Sequence, residues 1–271
     1  MMVDKYAVIG NPIAHSKSPL IHAAFAQQTG QAMSYEAILA PLDGFEAKVR
    51  ELVEKGYKGM NVTVPFKFEA YKLCDSLSAR AKCAGAGAVN TLININGAIH
   101  GDNTDGTGLR TDIEQNLGFE IANKDILILG AGGAAHGVMS SLLGAHPSRI
   151  TVANRNVEKA LDLVMGFSSN VEASSFESLL RPYDLIINAT SAGLTDSTLP
   201  IADTIFAEGC LAYDMMYGRE TPFMAQARRN GAQVADGLGM LVEQAAEAFY
   251  LWRDVRPDTK PVMDQIRAMA A

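Results

Sequence analysis

The sequence has few cysteines, no block of like charge and no long apolar run. Its three cysteines, Cys74, Cys83 and Cys210, are far apart and form no CxxC pair, so they predict neither a disulfide framework nor a zinc site. We interpret them as small buried apolar residues. The five histidines show no metal-ligand spacing, and no apolar run approaches the roughly 20 residues that a transmembrane helix requires.

These absences exclude several classes of protein. A formal net charge of −7 without a basic arm argues against a nucleic-acid-binding protein. The N-terminus lacks the apolar segment of a signal peptide, so we expect a cytoplasmic protein with no membrane association. With 271 residues, of which 48% are hydrophobic and 20% charged, the composition is typical of a globular protein with two modest domains. We expect its partner to be a small molecule.

Apolar β-like runs alternate with amphipathic helical stretches, a rhythm typical of βα units and parallel sheets. The first β-like runs are YAVIG, MSYEAILA and GMNVTVP, and a hairpin-like pair with a turn at Asn96-Gly97 follows. After a helical stretch, GTGLRTDIEQNLG, the rhythm restarts with DILILG, RITVAN, YDLIINAT and CLAYDMM. The pattern predicts two α/β units that meet near residues 102–110, followed by a strongly helical C-terminal run.

The most specific local pattern is DILILGAGGAAHGVMSSLL, an apolar strand, a glycine-rich turn and a helix. Gly130, Gly132 and Ala135 fit G-x-G-x-x-G/A. Small residues let the backbone approach a pyrophosphate, which binds the amides of the helix N-terminus. The flanking strand and helix favour a dinucleotide site over a plain βα turn. The expected binding residues of the turn are Gly130, Ala131, Gly132, Gly133 and Ala134.

The end of the next strand distinguishes NAD from NADP. An NAD site usually has an acidic residue there, whereas TVANRN has none and places Asn154 and Arg155 24 and 25 residues after Gly130. Because an arginine pairs well with a 2′-phosphate, we predict NADP bound by Asn154 and Arg155, with Lys159 adding positive potential. The alternative is a surface arginine that caps the next helix. Further on, NATSAG places Thr190 where a nicotinamide would lie, although it is equally compatible with a turn.

The stretch NVTVPFK places a lysine after a β-like run. Pro65 cannot donate to a sheet, so we expect the strand to end there and Lys67 to lie beyond its carboxyl edge, where ligands of open α/β sheets bind. Other polar residues at the expected strand ends of this unit are Ser16, Ser18, Thr63, Asn90 and Asp105. Together they suit a small, polyhydroxylated, anionic substrate. Taken singly, each is also compatible with a solvated charge, a helix cap or a turn.

Nine motifs, in order and over nearly the full length, resemble those of the shikimate dehydrogenase family: GNPIAHSKSP, NVTVPFK, GAVNT, GDNTDG, GAGGAA, NR, NATSAG, the pair YDMMY and TPF, and DGLGMLVEQAA. The resemblance implies two α/β domains. Residues 1–104, completed by 238–271, would form a substrate-binding domain to which the C-terminal helices return, and residues 105–237 a doubly wound Rossmann domain that binds NADP. It also implies reversible, NADPH-dependent reduction of 3-dehydroshikimate to shikimate in aromatic amino-acid biosynthesis, by a monomer or homodimer.

The resemblance assigns roles to single positions. Lys67 matches the catalytic acid/base and Asp105 its partner, which suits ketone reduction because a protonated amine stabilises and protonates the developing alkoxide. Ser16, Ser18 and Tyr217 match residues that hold the substrate carboxylate; Thr63, Asn90, Asp105 and Gln244 match those that hold ring oxygens; Met215 and Gly237 match positions near the nicotinamide. Departures from the family pattern at His136, Asn156 and Ala79 concern cofactor affinity.

Two other interpretations stay open. A quinate/shikimate dehydrogenase shares Lys67 and Asp105 and often uses NAD, but the lack of an acidic residue after TVAN argues against NAD. A non-catalytic nucleotide-sensing protein would bind the cofactor without turnover, and the retention of both Lys67 and Asp105 argues against it.

Overall fold

A computed structural model describes residues 3–83, 87–167, 170–190, 192 and 197–270. The chain forms two compact units, Met1–Gly108 with Leu241–Ala271, and Leu109–Met240. The divisions lie within four residues of the predicted domain ends, and they place Asp105 in the first unit. This is because the helix that starts at Asp105 is still bonded to the first unit in its first turn, where Arg80 Nη1 donates to Thr107 Oγ1 at 3.3 Å. No described helix is long and apolar enough to cross a membrane.

The first unit is built on a mixed six-stranded sheet. Its strands are β1 (Asp4–Gly10), β2 (Met33–Leu39), β3 (Tyr57–Val62), β4 (Ser76–Leu77), β5 (Thr91–Ile95) and β6 (Ala98–Asp102), in the order β2-β1-β3-β5-β6-β4. Strands β1, β2 and β3 are parallel, and β5 pairs antiparallel with β3 and β6. The predicted hairpin is confirmed, with Asn96 and Gly97 both at positive φ between β5 and β6. The helices are α1 (Ser18–Thr29), α2 (Phe45–Glu54), α3 (Lys67–Leu73), α4 (Ala79–Cys83) and α5 (Asp105–Thr111), the last continued by a π-helix at Asp112–Asn116.

The C-terminal helices return to the first unit, as predicted. Helix α9 (Leu238–Arg253) packs Trp252 on the sheet, where Trp252 Nε1 donates to Leu92 O at 3.1 Å. A Cβ at Gly59 of β3 would lie 2.3 Å from that nitrogen, so only glycine leaves room for the indole. Helix α10 (Lys260–Ala270) follows, and Gln28 of α1 donates to Asp258 O just before it.

The second unit is a doubly wound parallel sheet, as predicted. Its strands are β7 (Asp125–Leu129), β8 (Arg149–Ala153), β9 (Val171–Ser174), β10 (Tyr183–Asn188), β11 (Phe206–Asp214) and β12 (Gln233–Asp236), in the order β12-β11-β10-β7-β8-β9. Its helices are α6 (Gly133–Leu143), α7 (Val157–Val164) and α8 (Pro222–Arg229), with a 3₁₀ turn at Asp203–Ile205. The chain order reverses between β7 and β10, which is where doubly wound sheets bind ligands.

Cysteine burial agrees only in part with the prediction. Cys210 is buried in β11, whereas Cys74 is only partly buried, because it lies just after the end of α3. The side chain of Cys83 lies outside the described part of the chain, as do Ser191 and Gly193 of NATSAG.

A buried histidine sits under the returning helix α9. The His22 ring is fully buried and stacks on Tyr35 with centroids 4.0 Å apart. Neither ring nitrogen has a partner in hydrogen-bonding geometry. Burial lowers the pKa of His22 to about 3, which the nearby Asn61 side chain opposes only weakly.

This burial predicts an acid-sensitive fold. A histidine in the unfolded chain takes up a proton near pH 6.5, whereas His22 in the folded protein does so only near pH 3. The contribution of neutral His22 to the free energy of unfolding is therefore complete above pH 6.5. Below pH 6.5 it falls by about 1.4 kcal/mol per pH unit. We expect His22→Phe to flatten the pH dependence of the free energy of unfolding between pH 6.5 and 4, measured by urea titration. The matched control is His15→Phe at an exposed position. If the free energy of unfolding depended on pH equally steeply in His22→Phe and in the wild-type protein, this account would be contradicted.

Candidate functional site

The carboxyl ends of β1 and β3 meet at one edge of the first sheet because the two strands are parallel. A Cβ on Gly10 would lie 2.5 Å from Thr63 Cγ2, so the strand ends are in close contact. Strand β3 ends at Val62 rather than at Pro65, and the prediction was wrong by three residues. The reason is a turn: Thr63 N still donates to Ile9 O at 2.9 Å, and Phe66 N then donates to Thr63 O at 3.0 Å. The turn leads directly into α3, whose first residue is Lys67.

Lys67 and Asp105 form an ion pair in the first unit, in which Lys67 Nζ donates to Asp105 Oδ2. Their side chains are 14% and 8% exposed, so water screens this pair less than it would a surface pair. The backbone of Lys67 is also bonded to the segment that precedes β5, since Val89 N donates to Lys67 O at 3.0 Å. Lys67 and Asp105, 38 positions apart in the chain, thus form one partly desolvated ion pair.

The side-chain amide of Asn90 joins this pair to neighbouring segments. Its Nδ2 donates to Asp105 Oδ1 at 2.7 Å and to Thr104 Oγ1 at 3.0 Å, and it lies 3.4 Å from Gln244 Oε1. Its Oδ1 accepts from Thr104 N and from Thr91 Oγ1, each at 2.8 Å. The structure therefore brings four of the expected substrate residues, Lys67, Asn90, Asp105 and Gln244, into one cluster, the Lys67 cluster.

Several members of this network were missed by sequence reasoning. Asn103 accepts from Asp105 N at 3.0 Å and donates to Ala88 O at 2.9 Å, which holds the Asp105 backbone in place. Asn61 is buried and accepts from Tyr35 OH at 2.8 Å. The available signal was a polar residue in an otherwise apolar run, as at Asn61 in GMNVTVP, and the position of Asn103 inside GDNTDG.

Ser16 and Ser18 lie in the connection between β1 and α1, beyond the same sheet edge. Ser18 N lies 3.3 Å from Ser16 Oγ, and Ser16 N donates to Ile13 O at 3.0 Å. Ser18 is buried beside Tyr35, whereas Ser16 is half-buried. Two hydroxyls thus occupy one short loop. An ammonium, a carboxylate, side-chain amides and hydroxyls within one unit are suited to hydrogen-bond a polyhydroxylated molecule and to exchange a proton with it.

In the second unit, the glycine turn after β7 has two kinds of glycine. Gly130 has a φ of +103°, and a Cβ there would lie 3.1 Å from Thr190 Cγ2. Gly132 has an ordinary φ of −98°, and a Cβ there would meet no atom within 4 Å. Local packing therefore requires glycine at position 130 but not at position 132. At 132, glycine keeps open a space at the N-terminus of α6, whose first amides have no partner within the helix. Ala131 lies in the same turn, and Gly133 and Ala134 are the first residues of α6.

The segment after β8 contains Asn154, Arg155 and Lys159. Helix α7 is capped by Asn156, whose Oδ1 accepts from Glu158 N at 3.1 Å, and Asn154 Nδ2 donates to Asn156 O at 2.8 Å. The alternative in which Arg155 caps this helix is therefore wrong. Both Arg155 and Lys159 are exposed.

Buried Asp214 organises the ends of β10 and β11. It accepts from Asn188 Nδ2 at 3.0 Å, Met216 N at 2.9 Å and Thr221 Oγ1 at 2.5 Å. Burial raises the pKa of the Asp214 carboxyl, and these three donors oppose that shift. Asn188 Oδ1 in turn accepts from Thr190 Oγ1 at 2.7 Å. One buried carboxyl thus holds the turn that carries Thr190 and the start of the segment that carries Met215 and Tyr217.

Met215 and Gly237 are in contact at the ends of β11 and β12. Gly237 N donates to Met216 O at 2.9 Å, and a Cβ on Gly237 would lie 2.3 Å from Met215 O. The close approach of the two backbones requires glycine at position 237. Tyr217 follows in the same segment of the second unit and is half-buried, and burial raises the pKa of its hydroxyl.

Comparisons with known proteins give a consistent result along the chain. The family models that match are the shikimate dehydrogenase substrate binding domain at residues 8–92, shikimate / quinate 5-dehydrogenase at 112–197 and the shikimate 5′-dehydrogenase C-terminal domain at 237–267. A curated relative from Methylobacillus flagellatus, named shikimate dehydrogenase (NADP(+)), is 60% identical over 98% of this chain and 100% of its own.

Solved structures are similar to this chain over nearly its full length. An Ael1 enzyme from Pseudomonas putida is 48% identical over 97% of each chain, with a TM-score of 0.90. Shikimate 5-dehydrogenase from Thermus thermophilus, solved in complex with NADP(H) and shikimate, is 35% identical over 100% of each chain, with a TM-score of 0.88.

Proposed function

The chain belongs to the shikimate dehydrogenase family, and from this membership we propose that it catalyses the NADP-dependent interconversion of shikimate and 3-dehydroshikimate. The observation that supports this most is the pairing of Lys67 with Asp105, held in place by the Asn90 amide. We further propose that the first unit supplies the substrate-binding residues other than Tyr217, that the second supplies the cofactor-binding residues, and that the enzyme acts in the biosynthesis of aromatic amino acids.

The residues of the second unit fit NADP. The space at Gly132 leaves room for a pyrophosphate against the first amides of α6, and exposed Arg155 offers a guanidinium to the 2′-phosphate. When bound, NADPH supplies the hydride that reduces the ketone. The residues that would hold it are Gly130, Ala131, Gly132, Gly133, Ala134, Asn154, Arg155, Lys159, Thr190, Met215 and Gly237.

Lys67 is proposed as the acid/base. Its ammonium would donate a proton to the oxygen that becomes a hydroxyl in the reduction, and the neutral amine would accept it in the oxidation. Asp105 would orient both the amine and a substrate hydroxyl. Thr63, Asn90 and Gln244 would bind further ring oxygens, and Ser16, Ser18 and Tyr217 the carboxylate.

The first test offers shikimate or quinate with NADP or NAD to the purified protein and follows absorbance at 340 nm. We expect turnover with shikimate and NADP, because Asn154 and Arg155, rather than an acidic residue, stand at the end of β8, where a carboxylate would bind a ribose 2′-hydroxyl. Efficient turnover of quinate or NAD would favour the second candidate, a quinate/shikimate dehydrogenase, which the description of the family model at residues 112–197 also supports. Binding of NADP without turnover of any pair would contradict the proposed activity.

Loss of the Lys67 amine should affect the chemical step. We expect Lys67→Ala to lower kcat by about 10²–10⁴-fold, because general acid/base catalysis contributes a factor of that size. Shikimate binding, measured by calorimetry, should change much less. Lys72→Ala, an exposed lysine on the same helix α3, is the matched control. Near-normal kcat in Lys67→Ala would exclude this role.

The open space at Gly132 predicts a variant that folds but binds NADP poorly. Gly132→Ala should change the free energy of unfolding by no more than about 1 kcal/mol, the usual cost of alanine at a helix N-cap. NADP affinity, measured by fluorescence titration, should fall at least about tenfold, because the methyl group would occupy the space proposed for the pyrophosphate. The control is Gly144→Ala at the other end of α6, where a Cβ meets its nearest atom at 3.4 Å. An unchanged dissociation constant in Gly132→Ala would rule out this binding mode.

A further inference from the structure

The guanidinium of Arg80 joins four segments of the first unit. From α4, its Nε and Nη2 donate to the two carboxylate oxygens of Asp102 at the end of β6, at 2.6 and 3.0 Å. Its Nη1 donates to Glu247 Oε1 of α9 at 2.7 Å and to Thr107 Oγ1 of α5 at 3.3 Å. The Arg80 side chain is 29% exposed, and those of Asp102 and Glu247 are 5% and 13% exposed. Such a planar, forked set of bonds requires arginine, since lysine cannot bind a carboxylate in a bidentate way.

The Asp102 end of this bridge leads to the Lys67 cluster. Asp102 Oδ1 also accepts from Asn103 N at 2.7 Å, and Asn103 Oδ1 accepts from Asp105 N at 3.0 Å. The backbone carbonyl of Asp102 accepts from Asn90 N at 3.1 Å. Asp102 is therefore linked to Asn90 by one hydrogen bond and to Asp105 by two, through Asn103.

The Glu247 end leads to Gln244, which lies three residues earlier on the same face of α9. The contacts that Gln244 Oε1 makes with Asn90 Nδ2 and Thr104 Oγ1 are both 3.4 Å long, at the weak end of hydrogen bonding. The bond from Arg80 to Glu247 is short and joins opposite charges. It is thus the stronger link between this part of α9 and the Lys67 cluster.

We propose that Arg80 is a positioning residue for substrate recognition. By bridging Asp102 and Glu247, it sets the distance between Gln244 and the Asn90–Asp105 pair, and so determines how tightly the substrate hydroxyls are held. Without the guanidinium, Asp102 and Glu247 would face each other as two carboxylates and separate. This inference rests on the proposed function of the Lys67 cluster.

The test compares Arg80→Met and Arg80→Lys with the wild-type protein. In Arg80→Met we expect both the KM and the calorimetric Kd of shikimate to rise about tenfold, the effect of losing roughly 1.4 kcal/mol of binding. The Kd of NADP should stay within about twofold, because Arg80 contacts no residue of the proposed cofactor site. Arg80→Lys should restore part of the shikimate affinity, since it keeps the charge without the fork.

The matched control is Arg256→Met. Arg256 also bonds Glu247, through the other carboxylate oxygen, and pairs with Glu243, but these bonds do not include Asp102. We expect the KM of shikimate to stay within about twofold in this variant. An equal rise in both arginine variants would overturn the bridging role.

A double-mutant cycle tests whether Arg80 acts through Gln244. In a Gln244→Ala background, Arg80→Met should raise the KM of shikimate by less than about twofold. Full additivity of the two changes would overturn the inference. So would a lowered melting temperature with unchanged shikimate binding, which would indicate a purely structural role. If Arg80→Met does not fold, the KM and Kd of shikimate in Arg80→Lys are compared with those of the wild-type protein and of Arg256→Met instead.

The two proposals fail in different ways. If the wild-type protein neither binds nor oxidises shikimate, the proposed function fails and this inference fails with it. If the wild-type protein oxidises shikimate and the Arg80 variants bind it normally, only the role of Arg80 is overturned.

Discussion

The first unit depends on one buried side-chain amide, that of Asn90. Its nitrogen and oxygen are shared among Thr91, Thr104, Asp105 and Gln244, which come from β5, the start of α5 and α9. A buried amide that loses a partner costs about 1–3 kcal/mol, so the neighbours of Asn90 have little freedom to move. The Lys67–Asp105 pair thereby receives a defined geometry although both of its members belong to short helices.

In the second unit, a buried carboxyl fixes the positions of candidate site residues, as the Asn90 amide does in the first. Asp214 holds Asn188 and Thr221, and through Asn188 it holds Thr190 beside Gly130. The glycines separate into two groups. Gly130 and Gly237 are required by neighbouring protein atoms, whereas Gly132 is surrounded by space. The fold therefore constrains Gly130 and Gly237, whereas no neighbouring protein atom constrains Gly132, the position proposed to face the pyrophosphate.

Much of the fold follows from local pattern. The alternation of β-like and helical runs, the Asn96-Gly97 hairpin and the glycine turn after β7 all appear where their periodicity and turn residues predict them. The end of β3 was predicted wrongly because a local turn, closed by Phe66 N on Thr63 O, stops the strand at Val62, before Pro65. The polar residues Asn103, Thr104 and Arg80 were not predicted as parts of a site, because each has an ordinary role in a turn or on a surface when it is read alone.

The sequence by itself determined the two α/β units, the glycine turn after β7 and the lack of an acidic residue at the end of β8. These features depend on residues that are neighbours in the chain, so spacing and residue type are sufficient to predict them. Only the tertiary structure decided which polar groups meet. Asn90 reaches Gln244 across 154 residues and Arg80 reaches Glu247 across 167, because α9 folds back onto the first sheet through the packing of Trp252 on Gly59. Contacts over such distances depend on how helices and strands pack, and no local pattern contains that information.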